Sequence, residues 1–276
     1  VFHLAAQPIV LYSYKNPVET YEVNFNGTLN LLEAIRHSQT VKSAVLVTTD
    51  KCYENTGKKE GYVEEDSMGG YDPYSSSKGA AEILISSYRR SFFSNKSLDT
   101  NRPSIASARA GNVIGGGDWA EDRLVPDVMK SILNKDKAVT IRNPKYIRPW
   151  QHVLEPTFGY IKLAEYLYKY GEEYEGGWNF GPDLESEKDV EWIVSRLLKL
   201  WGGGIEIKPN KEASPHEASY LKLDCSKAKE QLNWQPLVDI EETLVYIIDW
   251  YKGYEKETSL KDITEKQIRT YINKQK

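Results

Sequence analysis

The sequence predicts an α/β fold layered on a parallel sheet, and two observations carry that prediction. Short apolar runs alternate with helix-period patterns through residues 1–110, in a strand, helix, strand, helix, strand order. The middle run, residues 43–49 (SAVLVTT), is β-rich, apolar and of the length expected for a buried parallel strand.

The elements follow in order. Residues 1–5 read as a buried strand. Residues 17–38 read as a helix, with Tyr21, Phe25, Thr28, Leu29, Leu32 and Ile35 at helical spacing. After strand 43–49, residues 71–93 are helical and residues 104–109 form a strand beyond a polar loop. In the second half, residues 123–134 are helical, 139–141 a strand and 154–170 a helix. Gly176-Gly177 marks a turn before the strand 178–180. Residues 190–201 are helical and stop at Gly202-Gly203-Gly204. A strand is expected at 206–208, a short helix at 227–232 capped by Ser226, and an amphipathic helix at 240–254. The charged tail from Glu255 reads as a surface helix or as disorder.

Composition bounds the function. The chain has 276 residues, enough for one large domain or two small ones. A net charge of −4 argues against a nucleic-acid binder that relies on bulk charge. Two cysteines cannot make a disulfide framework, which fits a reducing, cytoplasmic setting. No apolar run approaches membrane-spanning length. The chain begins with Val1 rather than Met, in what reads as mid-core.

Three motifs can carry chemistry. In Tyr74-Ser75-Ser76-Ser77-Lys78 the outer residues share a helix face. An ammonium near a phenol favours the phenolate, which can take a proton from a sugar hydroxyl. Alone, the spacing is also that of an ordinary helix surface. Its context is a Gly- and Asp-rich loop beyond a strand end, where open α/β sheets place ligands. The second motif is that strand end, Thr48-Thr49-Asp50-Lys51-Cys52-Tyr53. It is either a reactive cluster or a capped loop with a solvated salt pair. The third runs from Arg109 to Trp119 through four glycines, which allow close backbone approach or simply make a loop. It is not a dinucleotide-binding GxGxxG, because it does not open a helix after the first strand. Cys52 and Cys225 read as small buried hydrophobes. The histidines and cysteines show no metal-site spacing.

Tyr74-x-x-x-Lys78, the upstream Thr49, the leading His3-Leu4-Ala5-Ala6 and the helix Asn24…Gly27-Thr28…Asn30-Leu31-Leu32-Glu33-Ala34 resemble the extended short-chain dehydrogenase/reductase family. Thr49 to Tyr53, residues 111–127 (GNVIGGGDWAEDRLVPD) and Arg148-Pro149-Trp150-Gln151-His152-Val153 are similar to its CDP-glucose 4,6-dehydratase branch. The resemblance runs from Val1 to about Tyr254. It implies a Rossmann-like doubly wound parallel sheet, N-terminally incomplete, with a smaller mixed C-terminal substrate domain. Residues 1–110 would be the remaining NAD-binding part. Residues 111–254 would mainly bind the nucleotide sugar, with some segments returning to the sheet, and 255–276 would be a charged tail.

The resemblance also implies the chemistry. The cofactor is NAD and the substrate CDP-glucose, converted to its 4-keto-6-deoxy product. The sugar is oxidised at its 4-position, water leaves from the 5- and 6-positions, and hydride returns to the 6-position. Tyr74 is the base for the 4-hydroxyl, Lys78 holds the cofactor ribose and lowers the Tyr pKa, and Thr49 binds the same hydroxyl. Asp50 is the acid for the leaving hydroxyl, if its surroundings keep it protonated. Lys51 stands where related dTDP-glucose enzymes carry a Glu base. Both reach one substrate only if the strand ends there. Leu4, Ala5, Ala6, Asn24 and Arg109 are expected at the cofactor. Gln7, Asn112, Arg123, Leu124, Val125, Arg148 and His216 are expected at the substrate. A homodimer is expected through the helices at 17–38 and 71–93.

Two other readings remain. An epimerase would use the same Tyr and Lys but needs no acid–base pair after the Thr; Asp50-Lys51 favours the dehydratase. A non-catalytic nucleotide-sugar-binding fragment is the other, because the Gly-rich pyrophosphate turn and the acidic ribose ligand are not found. The chain is therefore read as the back three-quarters of an enzyme, opening at its fourth strand and binding NAD poorly by itself.

Overall fold

The structure is a computed structural model and describes residues 1–94, 102–210 and 220–275. In chain order the elements are β1 (Phe2–His3), α1 (Val10–Lys15), α2 (Pro17–Tyr21), α3 (Gly27–Arg36), β2 (Ser43–Val47), α4 (Pro73–Phe92) and β3 (Ser104–Ala110). There follow β4 (Val113–Ile114), α5 (Leu124–Leu133), β5 (Ala138–Ile141), β6 (Ile147–Pro149), β7 (Gln151–His152), α6 (Leu154–Tyr170) and β8 (Gly176–Phe180). The last are β9 (Glu187–Asp189), α7 (Val190–Trp201), β10 (Glu206–Pro209), α8 (Ser226–Gln231), α9 (Ile240–Glu255) and α10 (Leu260–Asn273).

The chain divides into two compact units. The first comprises Val1–Gly111, Thr157–Gly181 and Leu221–Gln235. Its sheet runs β1-β2-β3-β8 with every pair parallel. Side chains alternate across β2, so Ala44 and Leu46 face one side and Val45 the other. Ala44 and Leu46 pack with Leu32 and Ile35 of α3, Ile85 of α4 and Ile105. Val45 packs with Ala106, Ala108, Trp178, Phe180 and Leu163 of α6. A strand buried on both faces must be apolar throughout, which is why 43–47 carries no polar alternation.

The second unit comprises Asn112–Pro156, Pro182–Tyr220 and Pro236–Lys276. Its core joins Val125, Val128, Met129 and Ile132 of α5 to Ile193, Val194 and Leu197 of α7. Leu244, Ile247 and Tyr251 of α9 close it. These helices are amphipathic stripes whose apolar faces find each other. Three two-stranded ladders complete the unit: β5 with β10 and β4 with β7 parallel, and β6 with β9 antiparallel.

Several expectations change. The first strand is only Phe2–His3; within the described residues it pairs with β2 alone. The helix expected at 17–38 is interrupted by a π turn, Glu22–Asn26, that turns Asn24 into the interior. Strand 43–49 ends at Val47, and helix α1 was not foreseen. Ser226 does not cap α8; Cys225 holds the cap position, while Asp224 Oδ1 accepts from Ser226 N at 2.8 Å. The tail forms α10, capped by Ser259 and pinned by the buried Tyr271, whose hydroxyl donates to Glu155 Oε2 at 2.7 Å. Glu155 also accepts from Leu237 N and Val238 N. No helix among the described residues is long and apolar enough to cross a membrane.

Burial pushes the Glu175 carboxyl at the start of β8 up from 4.5 to about 7, against the pull of Arg102 and Arg89. Its Oε1 accepts no hydrogen bond. Between these two pH values the folded chain keeps a proton that the unfolded chain releases. Stability therefore falls as pH rises through that window. Glu175→Gln is expected to be more stable than wild type above pH 7 and to match it below pH 4.5, as read by urea unfolding across pH.

Candidate active site

The candidate site grows from the carboxyl end of β2, where open parallel sheets leave a crevice for ligands. Regular pairing stops at Val47; Thr48 N still donates to Ala108 O at 2.8 Å. Thr49 is extended, and Asp50–Cys52 turns as a 3-10 helix capped by Thr49 Oγ1. That break lets consecutive side chains leave the strand's strict alternation. Thr49 and Asp50 are buried and Lys51 is half-buried. Thr49 Oγ1 donates to Asp50 Oδ1 at 3.0 Å. The Asp50 carboxylate lies over Gly111, where a Cβ would fall 1.9 Å from Oδ2. Only glycine leaves room for it.

Helix α4 supplies the other half. Asp72 caps it, accepting from Ser75 N at 2.9 Å, and Pro73 occupies its first turn. Gly70 has φ +125° and passes so close to α4 that a Cβ would lie 2.4 Å from the backbone of Ser75. Tyr74 and Lys78 are both buried, one turn apart. Tyr74 N donates to Ser13 Oγ of α1 at 3.1 Å. Lys78 Nζ donates to Val47 O at 3.3 Å, which places the ammonium at the end of β2. Burial pushes Lys78 down to about 8, while the Glu82 carboxylate pulls it back up. Thr49 and Asp50 thus share a hydrogen bond at the carboxyl end of β2, Lys78 reaches Val47 O at the same strand end, and Tyr74 is buried one turn before Lys78 on α4.

The other expected residues are placed as follows. Leu4, Ala5 and Ala6 follow β1 at the same sheet edge. Asn24, expected at the cofactor, donates from Nδ2 to Gln7 O at 3.0 Å and Ser77 Oγ at 2.9 Å, and accepts from Gln7 N. Gln7, expected at the sugar, donates to Thr20 Oγ1 at 2.9 Å and accepts from Ile9 N at 2.5 Å. These two amides fasten the loop after β1 to the π turn and α4. Arg109, also expected at the cofactor, spends its guanidinium on Glu82, the Tyr53 hydroxyl and Glu64 O.

In the second unit, Asn112 takes a left-handed φ of 48° and its carbonyl accepts from Gln151 N. Arg123 holds the cap position of α5 and pairs with Asp118 at 2.9 Å. Leu124 and Val125 open α5, and the Val125 side chain belongs to the core. Arg148 on β6 is buried, stacks its guanidinium 5.3 Å from the Tyr146 ring and donates to Ile147 O. His216 lies outside the described residues. Cys52 and Cys225 are buried, and burial raises both thiols, Cys225 to about 12. The sequence reading missed Glu82, although its position four residues beyond Lys78 marked it as the next member of the same helix stripe.

A family model described as GDP-mannose 4,6 dehydratase matches residues 1–246. The chain belongs to this family, the extended short-chain dehydrogenase/reductases that act as nucleotide-sugar epimerases and dehydratases. Among its relatives, a CDP-glucose 4,6-dehydratase of Salmonella typhimurium is 48% identical over 273 residues, 99% of this chain and 76% of that protein. Two solved structures share the fold. RMD from Pseudomonas aeruginosa, complexed with NADPH, matches with a TM-score of 0.76 at 20% identity, covering 92% of this chain and 81% of that one. The dTDP-glucose 4,6-dehydratase of Bacillus anthracis, in complex with NAD, matches with a TM-score of 0.71 at 22% identity, covering 95% of this chain and 74% of that one.

Replacing Gly111 by Ala forces the Asp50 carboxylate aside. A displacement of about 1 Å in a reacting group costs about 100-fold in rate. Gly111→Ala is expected to lose turnover on that scale in a steady-state assay, with an unchanged circular-dichroism spectrum.

Proposed function

We propose that this chain carries out the dehydration of CDP-glucose to CDP-4-keto-6-deoxyglucose. The observation that supports the reading is at the carboxyl end of β2, where buried Thr49 and Asp50 are hydrogen-bonded and Lys78, one turn from buried Tyr74 on α4, reaches Val47 O. An epimerase needs the Tyr and Lys but not a carboxylic acid beside the Thr. The donor set suits NAD: an ammonium has three donors, Lys78 uses one on Val47, and the ammonium stands at the carboxyl edge of a parallel sheet. Lys78 and Tyr74, with Leu4, Ala5 and Ala6 at the end of β1, are the residues proposed to hold it. When bound, NAD supplies the hydride acceptor for the sugar 4-position and the donor for the 6-position.

The chain's own groups handle the protons. Tyr74 takes the proton from the 4-hydroxyl, and Thr49 hydrogen-bonds the same oxygen. Asp50, held over Gly111, enters this step as the neutral acid and protonates the 6-hydroxyl as it leaves, and Lys51, in the same 3-10 turn, enters as the neutral amine and takes the proton from the 5-position. Asn112, Arg123, Leu124 and Arg148 are proposed to bind the nucleotide sugar, with the Arg148 guanidinium suited to the diphosphate. Exposed Val18 and Tyr21 on α2 and Ile83 on α4 support a second copy of the chain as partner.

The test incubates the chain with either CDP-glucose or dTDP-glucose, at NAD concentrations raised to offset the weak cofactor binding expected without a Gly-rich pyrophosphate turn, and follows products by NMR. A 4-keto-6-deoxy sugar from CDP-glucose is expected. An epimeric hexose, or equal turnover of dTDP-glucose, would overturn the assignment. Tyr74→Phe is expected to lower turnover at least 100-fold, about the scale of general-base loss, while CDP-glucose binding by calorimetry stays within about threefold.

A further inference from the structure

Helix α4 carries a glycine where the helix itself would be better served by alanine. Gly79 follows Lys78 directly and is buried inside the helix, with Ala80 and Ala81 next in the chain. Glycine in a helix interior is destabilising relative to alanine, because it has more backbone freedom to lose. The surroundings of Gly79 explain its presence. A Cβ there would lie 2.4 Å from Gly69 O and 3.3 Å from Cys52 O, both of them backbone atoms. Non-bonded carbon atoms rest at about 3.5–4.0 Å, and the first of these contacts lies far inside that separation even for an oxygen.

Residues 68–70 run as a strap against α4 and the 3-10 turn. At one end, Gly70 is pressed onto the backbone of Ser75. The strap is also tied to the turn: Gly69 N donates to Cys52 O at 2.8 Å, Met68 bridges antiparallel to Tyr53, and Glu54 N donates to Ser67 O at 2.9 Å. Gly69 thus meets α4 with its carbonyl and the turn with its amide. The helix that carries Tyr74 and Lys78 and the turn that carries Asp50 and Lys51 are spaced by bare backbone. The two are not equally firm. Glu82 fixes α4 to β2 and β3 through Thr48, Ser107 and Arg109. The strap is a loop, so a side chain at position 79 displaces the strap, and the turn bonded to it, rather than the helix.

We propose that Gly79 and Gly69 are positioning residues that set the distance of the acid–base turn, Asp50 and Lys51, from the oxidation pair, Tyr74 and Lys78. The inference rests on the roles proposed above for these four groups. It divides the reaction into two parts. In the first, the sugar 4-position loses hydride to NAD and its hydroxyl proton to Tyr74, with Thr49 on the same oxygen. In the second, the proton of the 5-position goes to Lys51, and the 6-hydroxyl leaves as water with the proton of Asp50. The first part uses α4 and the strand end, and the second uses the turn. A displaced turn therefore slows the loss of water and spares the oxidation.

The experiment mixes the full chain with CDP-glucose at the raised NAD concentration given above, and follows reduced nicotinamide by absorbance and the sugar by NMR. Gly79→Ala is expected to form reduced nicotinamide at the wild-type rate but the keto-deoxy sugar about 100-fold more slowly, so that the 4-keto hexose accumulates. Gly70→Ala pushes the same strap from its other end and is expected to give the same split. In 15N NMR of the chain without ligands, the amide signals of Asp50, Lys51 and Cys52 are expected to move in both variants, with those of residues 84–88 of α4 unmoved. Keto-deoxy product at the wild-type rate in a folded variant overturns the proposal, as does equal loss of both parts. Unfolding of both variants overturns it too, because the glycines would then serve folding alone. If wild type makes no keto-deoxy product, the assigned reaction fails, and the amide signals still decide whether the strap holds the turn.

Discussion

The carboxylate of Glu82 reaches across from α4 to two strands and receives four hydrogen bonds there. Much else in the first unit depends on that contact. A buried charge with a missing partner costs several kcal/mol, so α4 has one acceptable position on the sheet. Tyr74 and Lys78 ride on the same helix, and the place of Lys78 beside Val47 follows. The network extends further through Arg109 to the Tyr53 hydroxyl, and through Tyr53 to Asn179 on β8 at 2.8 Å. Asn179 in turn donates to Tyr62 O and Asp224 O, so the loops after β2 and before α8 are held by the same chain of polar groups. A polar network of this kind is worth keeping only when every member is satisfied.

The candidate site is made by an interruption. β2 is apolar and buried on both faces until Val47, and then polar side chains follow without a break. In a continuing strand these would alternate and half would be lost into the core. The 3-10 turn at Asp50–Cys52 gathers them, and Gly111 removes the side chain that would displace the Asp50 carboxylate. The second unit shows the same use of missing side chains. Gly116 lies where a Cβ would meet Trp250 at 2.3 Å, so the glycine-rich loop packs directly on the indole of α9. Tyr251 fixes the loop by donating to Asp118 O at 2.6 Å. The glycines between Gly115 and Gly117 therefore serve close packing.

Asn24, Gln7 and Arg109 carry a general lesson about polar residues near a ligand edge. Each has a side chain of a type that binds nucleotides, and each lies in a segment resembling a nucleotide-binding family. All three make internal hydrogen bonds, which satisfy a buried amide or guanidinium that would otherwise cost free energy. Asn24 is buried by the π turn, a local widening that helix periodicity does not announce. Lys78 differs in having donors to spare, which is the feature a ligand requires.

The sequence by itself determined the layering of the first unit, the identity of its central strand and the bounds of α6 and α7. It also marked the Tyr74, Lys78 stripe and the strand end beside it. These are local properties: burial imposes a period of two or 3.6 residues, and a helix aligns residues four apart wherever it sits. Only the tertiary structure decided which polar groups meet. Tyr53 finds Asn179 across 126 residues, and Glu155 finds Tyr271 across 116. No periodicity encodes such pairings. Burial depends on what packs against a strand, and hydrogen-bond partners depend on what the folded chain brings near. Both are settled by the assembly of elements rather than by any one of them.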